Sequence, residues 1–214
     1  VGDGFHAANA TGLTATLLHS ADNAKAGIRV AGTSSNVTIS DSLIGLDANG
    51  TAAQPNLGQG IVVSVATGTT LQGNTISNHT VGVLVDNGAN LTIGSASGTT
   101  TGDADANVIT KNTSAGIVVN GAGSQNVSIL SNSIFENDFI GISLSAGGNA
   151  LARTPTLATA TTTDVTGSIT GTDGDIYRIQ YFKSSDAVTS SSRFAQGQEL
   201  LGYQDVTIVG STAS

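Results

Sequence analysis

Apolar residues along this chain recur in short alternating triplets, with a period of 2 rather than the 3.6-residue period of a helix. The pattern glycine, apolar, any residue, apolar occurs at Gly27-Ile28-Arg29-Val30, Gly60-Ile61-Val62-Val63, Gly82-Val83-Leu84-Val85, Gly116-Ile117-Val118-Val119 and Gly141-Ile142-Ser143-Leu144. The leading glycines are 33, 22, 34 and 25 residues apart, and each long interval shrinks to about 22 once an insertion is removed, residues 47–58 in one and 95–105 in the other. Between these markers runs a second series, Val37-Thr38-Ile39, Thr69-Thr70-Leu71, Leu91-Thr92-Ile93 and Val127-Ser128-Ile129. A third follows at Ser42-Leu43-Ile44, Asn74-Thr75-Ile76, Asn107-Val108-Ile109 and Asn132-Ser133-Ile134. Three short strands per unit, separated by Gly, Asn and Ser, leave no room for a helix, so each unit is predicted to be one coil of a β-solenoid.

Stacked at the ~4.8 Å strand spacing, such coils bring Ile28, Ile61, Val83, Ile117 and Ile142 into one interior column. Val30, Val63, Val85, Val119 and Leu144 form the next. Asn74, Asn107 and Asn132 share one position before the third strand, where stacked amides can bond along the column, and their expected role is structural. After Leu144 the period stops. Residues 147–154 read as a linker, and the rest as a different module with strands expected at 165–169, 176–182, 199–202 and 206–209.

Composition sharpens this picture. The 28 Gly, the absence of Cys, Met and Trp, and 10% charged positions describe a chain of small side chains with neither disulfides nor thiol chemistry. Seven Lys and Arg against fifteen Asp and Glu give a net charge of −8, and the cations are dispersed, which argues against nucleic acid or an anionic membrane as partner. No apolar run approaches the length of a membrane span.

The run Leu43-Ile44-Gly45-Leu46-Asp47-Ala48-Asn49-Gly50-Thr51-Ala52-Ala53, followed by Gly58-Gln59-Gly60-Ile61, resembles the right-handed parallel β-helix repeats, of the pectate-lyase-like superfamily, found in large exported bacterial surface proteins. Leu91-Thr92-Ile93-Gly94, then Asn107-Val108-Ile109 and Gly116-Ile117, is similar to the alternate coil of those arrays. Tyr177-Arg178-Ile179-Gln180-Tyr181-Phe182 and Gly197-Gln198-Glu199-Leu200-Leu201-Gly202 resemble the β-sandwich segment that follows them. The expected fold class is therefore all-β: a right-handed parallel β-helix of about five coils over 1–146 and an antiparallel β-sandwich-like module over 155–214. The resemblance implies an extracellular or cell-surface location in a bacterium. It implies as partner a polysaccharide, another cell-surface ligand or neighbouring domains, and it leaves activity open, because β-helices include lyases, hydrolases, epimerases and inert stalks.

Catalytic signatures of the polyuronate-cleaving members are missing, since the chain has no Asp-Asp pair and no Gly-His-Gly. No catalytic residue is assigned. His6, His19 and His79 lack metal-binding spacing and are read as turn or surface histidines. Asp103 and Asp105 in one insertion, and Asp47 and Asn49 in the other, present alternate oxygens that suit Ca²⁺, although Asp and Asn in turns are also plain turn formers. The outward column Thr38, Thr70, Thr92 and Ser128 is a hydroxyl ladder, a candidate glycan-contact surface that loosely resembles the flat faces of ice-binding solenoids. Val62, Leu84 and Val118 form an outward aliphatic strip that predicts cover, either from residues 12–18, from the C-terminal module or by self-association.

The column assignment is testable. Ile117→Asp puts an unpaired charge into the stacked core and is expected to cost at least about 4 kcal/mol, against less than about 1 kcal/mol for Thr92→Asp outside it. Urea denaturation of both variants measures the difference, and equal losses would contradict the assignment.

Overall fold

A computed structural model describes residues 2–99, 101–161, 164–184 and 196–213. Phe5–Ala8 (β1), Thr14–Thr16 (β2) and His19–Ser20 (β3) form the first coil. Ile28–Ala31 (β4), Thr38–Ser40 (β5) and Leu43–Ile44 (β6) form the second, and Ile61–Ser64 (β7), Thr70–Gln72 (β8) and Thr75–Ser77 (β9) the third. Val81–Asp86 (β10), Thr92–Gly94 (β11) and Val108–Thr110 (β12) make the fourth. The fifth comprises Ala115–Asn120 (β13), Ser128–Leu130 (β14) and Ser133–Phe135 (β15), and Ile140–Ser145 (β16) opens a sixth. Equivalent strands stack into three parallel sheets, one of six strands and two of five.

Register in the first sheet aligns Ile28, Ile61, Val83, Ile117 and Ile142, and beside them Val30, Val63, Val85, Val119 and Leu144, as the sequence predicts. Most of these side chains are fully buried, and only Ile142 and Leu144 on the last strand are partly open. The first coil was not foreseen. Gly4-Phe5-His6-Ala7 carries the same marker, with Phe5 paired to Ile28 and Ala7 to Val30. Residues 12–18, one of the three covers considered for the aliphatic strip, instead supply β2.

The marker glycines have a steric cause. A Cβ at Gly27, Gly60, Gly82 or Gly116 would come within 2.5–2.8 Å of the Cγ2 of Ile44, Ile76, Ile109 or Ile134, too close for any side chain. At the corners the chain turns through left-handed residues in stacked sets, such as Asn36, Gly68, Asn90 and Asn126 (φ 53–64°). Asn and Gly enter that conformation at least cost, which accounts for much of the chain's Asn and Gly content.

Two columns of side-chain amides run inside the coil. In the first, Asn107 Oδ1 accepts the Asn74 backbone N–H and the Asn74 side-chain N–H, both at 3.0 Å, and Asn132 Oδ1 does the same for Asn107 at 3.1 and 2.8 Å. Each amide also donates to a carbonyl of the coil below, Asn107 to Leu71 and Asn132 to Ile93. The second column, which hydrophobic alternation does not mark, comprises Asn23, Asn56, His79, Asn112 and Asn137. It follows the inward isoleucine by three residues at Ile76, Ile109 and Ile134, a spacing that was legible.

Beyond a left-handed turn at Gly148–Leu151, Thr156–Ala160 (β17), Val165–Thr170 (β18), Ile176–Lys183 (β19), Glu199–Thr207 (β20) and Thr212–Ala213 (β21) form two antiparallel sheets, β17-β18-β21 and β19-β20. The two strands expected at 199–202 and 206–209 are one strand, β20, with an irregularity where Tyr181 pairs with Gly202 and Phe182 with Leu200. Leu201 is the extra residue of that bulge, and Gly202 lies inside the strand rather than at its end.

This module closes the last coil with amide side chains. Gln196 Oε1 accepts from Asn137 N (3.1 Å) and Nδ2 (2.9 Å), extending the second column, while Gly197 O accepts from Ile134 N. Gln180 Oε1 accepts from Ser131 N, and Asn149 makes a paired contact with both backbone groups of Val127.

Asn107→Ala strips partners from the Asn74 backbone and amide groups and from Leu71 O. The expected loss is about 3 kcal/mol. Asn90→Gly, at an exposed left-handed corner, is expected to change stability by less than about 0.5 kcal/mol. Chemical denaturation of the two variants checks the contrast.

Candidate functional site

The outward surface of the second sheet is the most regular polar face of the molecule. Thr14, Thr38, Thr70, Thr92 and Ser128 lie in consecutive register, one from each coil. Two residues further along the strands are Thr16, Ser40 and Gln72. On the other side Thr11, Ser35, Thr67 and Ala89 continue the stack through isolated bridges. Hydroxyls therefore repeat at ~4.8 Å along the solenoid axis and at ~6.6 Å along the strands. β-Branched Thr suits an outward strand position because branching restricts its χ1, so its hydroxyl loses little freedom when it is engaged.

Neighbouring hydroxyls bond across coils at 3.3 Å, Ser35 to Thr11 and Ser40 to Thr16. None of the five strands of this sheet carries a charged residue. Asp41, at the corner, accepts from Thr16 Oγ1. The strands of this face are thus uncharged and rich in hydroxyls that both donate and accept, while Ala89 and the Gly94–Leu130 pair end the two flanking rows.

The aliphatic strip lies on the first sheet, where Arg29, Val62, Leu84, Val118 and Ser143 are in register. It is less open than alternation suggested. Val62 is only 3% exposed and the other two are half-buried. Arg29, next to Val62, is pinned by Asp3, whose Oδ2 accepts from Nε at 2.9 Å.

The two insertions separate the candidate cation ligands. Asp47 Oδ1 accepts the backbone N–H of Thr51 (2.7 Å) and Ala52 (2.9 Å), and these bonds, that from Ala52 foremost, hold its carboxyl below the usual carboxylate range. Asn49 reaches the same carboxylate at 3.5 Å. Asp103 accepts from Asp105 N, closing a turn of its own. Among the described residues, no three His, Cys, Asp or Glu side chains gather into a group that could hold a metal ion.

Neither insertion is a simple projecting loop. Residue 56 of the first returns into the interior, where Asn56 is 3% exposed. In the second, Ser95 is buried, Gly98 O accepts from Gln180, and Ser97 O accepts from Arg178, which also pairs with Asp205 at 2.6 Å and stacks over Tyr203. His6 and His19 are on the surface as expected, but His79 is not. It is 2% exposed, and burial lowers its pKa to about 4.

A cleft of about 630 Å³ separates the two C-terminal sheets, walled mainly by Leu157, Ile169, Ile179, Phe182, Leu201 and Val206. Its lining is mostly apolar, with Thr156, Thr166, Ser168, Gln180 and Gln204 among the walls, and carries no charged residue.

The family described as "right handed beta helix region" matches residues 2–97. That span covers the coils from β1 through β11, and the three parallel sheets carry the same winding on to Ser145. The stacked part of the chain is a right-handed parallel β-helix. No curated protein matches the sequence.

Replacing residues 96–104 by a short Gly link removes the Gln180–Gly98 and Arg178–Ser97 contacts but none of the inward columns. The solenoid is expected to keep its melting temperature within a few degrees, while limited proteolysis cuts the C-terminal module several-fold faster. Collapse of the whole β-sheet signal would show that the insertion belongs to the core.

Proposed function

We propose that this chain is a non-catalytic, rigid surface module of an exported protein, whose second-sheet hydroxyl face contacts a neutral polysaccharide. The observation that carries this reading is the uninterrupted column Thr14, Thr38, Thr70, Thr92 and Ser128 on a sheet without charged residues. A polymer of neutral sugars offers repeated hydroxyls that can exchange hydrogen bonds with such a column, and contacts repeated along a rigid face add through effective concentration. Two inward amide columns and a closed end give the rigidity that this mode requires, because little conformational entropy is lost on binding. Flanking Thr11, Ser35, Thr67, Thr16 and Ser40 widen the array in two dimensions and favour, as a second reading, an ordered water lattice as the surface contacted.

Binding to a panel of insoluble neutral glycans and polyuronates, with and without Ca²⁺, tests the reading. The chain is expected to be retained on a neutral glycan without generating reducing ends or unsaturated products, and Thr70→Lys with Thr92→Lys to weaken retention at least tenfold. Product formation, or retention unchanged by the double substitution, would overturn it. Retention on no glycan, together with faceted growth of ice crystals that the same substitutions abolish, would replace it with the second reading.

A further inference from the structure

The second amide column is regular except at one rung. Asn112 Nδ2 donates to Asn137 Oδ1 at 2.8 Å and Asn137 Nδ2 to Gln196 Oε1 at 2.9 Å, and each of those oxygens also takes the backbone N–H of the rung below. One coil lower the position is held by His79. Asn56 Oδ1 is occupied by Asn23, through its backbone N–H at 3.1 Å and its side-chain N–H at 2.8 Å. The Asn56 Nδ2 group therefore faces the ring, and His79 Nε2 accepts from it at 3.0 Å. An imidazole that accepts at Nε2 carries its proton on Nδ1, which is buried and has no partner among the described residues.

Asn56 is also the point at which the insertion 47–58 rejoins the coil. From below it is held by Ser20 O (3.0 Å) and Asn23, and the next two amides, Leu57 N and Gly58 N, bond to Asn23 O and Lys25 O. From above, the Asn56 side chain has a single acceptor, the lone pair of the His79 ring.

We propose that His79 is an acid-operated latch: protonation at Nε2 sets donor against donor at Asn56, expels that amide from its column and frees residues 47–58 from a coil that otherwise stays stacked. The ring lies beside Gly45, Asn56 and Gly60, and the charged residues nearest in sequence to these contacts and to Asn112 are Asp47 and Lys111. Burial, opposed by Asn112, governs the ring. The sign is fixed by linkage: a histidine whose folded pKa of about 4 lies below its unfolded value of 6.5 leaves the latched form undiminished above that value. Latching is then lost as the pH falls from 6.5 through 4. At pH 4 the ratio of latched to free loop is expected to be on the order of 100-fold lower than at pH 7.

Hydrogen exchange of the whole chain, read by mass spectrometry between pH 7 and 4 and scaled to the intrinsic rate at each pH, tests the latch. Peptides covering 47–60 should lose protection across this window while those covering 115–120 keep theirs. In His79→Asn, which restores the residue found at four other rungs, the 47–60 protection should stay flat with pH. His79→Gln, the residue type that ends the column, serves if the first variant folds poorly. An equal loss in the variant, simultaneous loss over all peptides, or no loss in the wild type would each overturn the proposal.

Discussion

Buried backbone N–H groups at the coil corners set the terms for the rest of this molecule. Within each strand the parallel ladder satisfies the main chain, but where the chain leaves one sheet for the next its amides point between coils and out of reach of water, and a buried amide without a partner costs about 1–3 kcal/mol. The inward Asn side chains meet that demand: one oxygen receives a backbone N–H and a side-chain N–H from the coil below, and one nitrogen returns a bond to a carbonyl. Because Asn is short, this works only if successive coils keep the same register. The columns thereby fix register, and register aligns the isoleucines and valines of the core. The glycine marker follows from the same packing, since the first sheet presses on the isoleucines and amides of the third.

A ladder must also end. At the last coil the same chemistry is supplied by side chains from elsewhere in the chain, with Gln196 continuing one amide column, Gln180 closing on Ser131 and Asn149 pairing with Val127 in the place of a further strand. The antiparallel module is thus coupled to the solenoid through the groups that hold the solenoid together. The inward positions are committed to packing, so the outward columns and the insertions are free to vary, and the neutral hydroxyl face lies on the sheet entered through the left-handed residues Gly12, Asn36, Gly68, Asn90 and Asn126.

Much of the coil architecture was legible because a solenoid repeats a local pattern. The columns through Ile117 and Val119, the role of Asn107 and the positions of both insertions all follow from alternation and spacing. The first coil escaped because its core residue at the second inward position is Ala7, too small to mark a strand by hydrophobicity. The second amide column escaped because its third member is His79, which breaks both the residue identity and, by one residue, the spacing to the next glycine. Alternation places Val62 in the outward register beside Arg29 and Leu84 but says nothing of how far it is covered, and it is only 3% exposed. Gln180 and Gln196 carried no local signal, since their partners lie 49 and 59 residues away.

The central claim is that the inward amides act as one cooperative column rather than as independent polar fillers. A double-mutant cycle on Asn112 and Asn137, whose side chains are joined at 2.8 Å, measures it most directly. Asn112→Ala, Asn137→Ala and the double variant are compared by urea denaturation. A shared column predicts that the double variant loses less than the sum of the single losses, with a coupling of at least about 1 kcal/mol. Losses that simply add would contradict it.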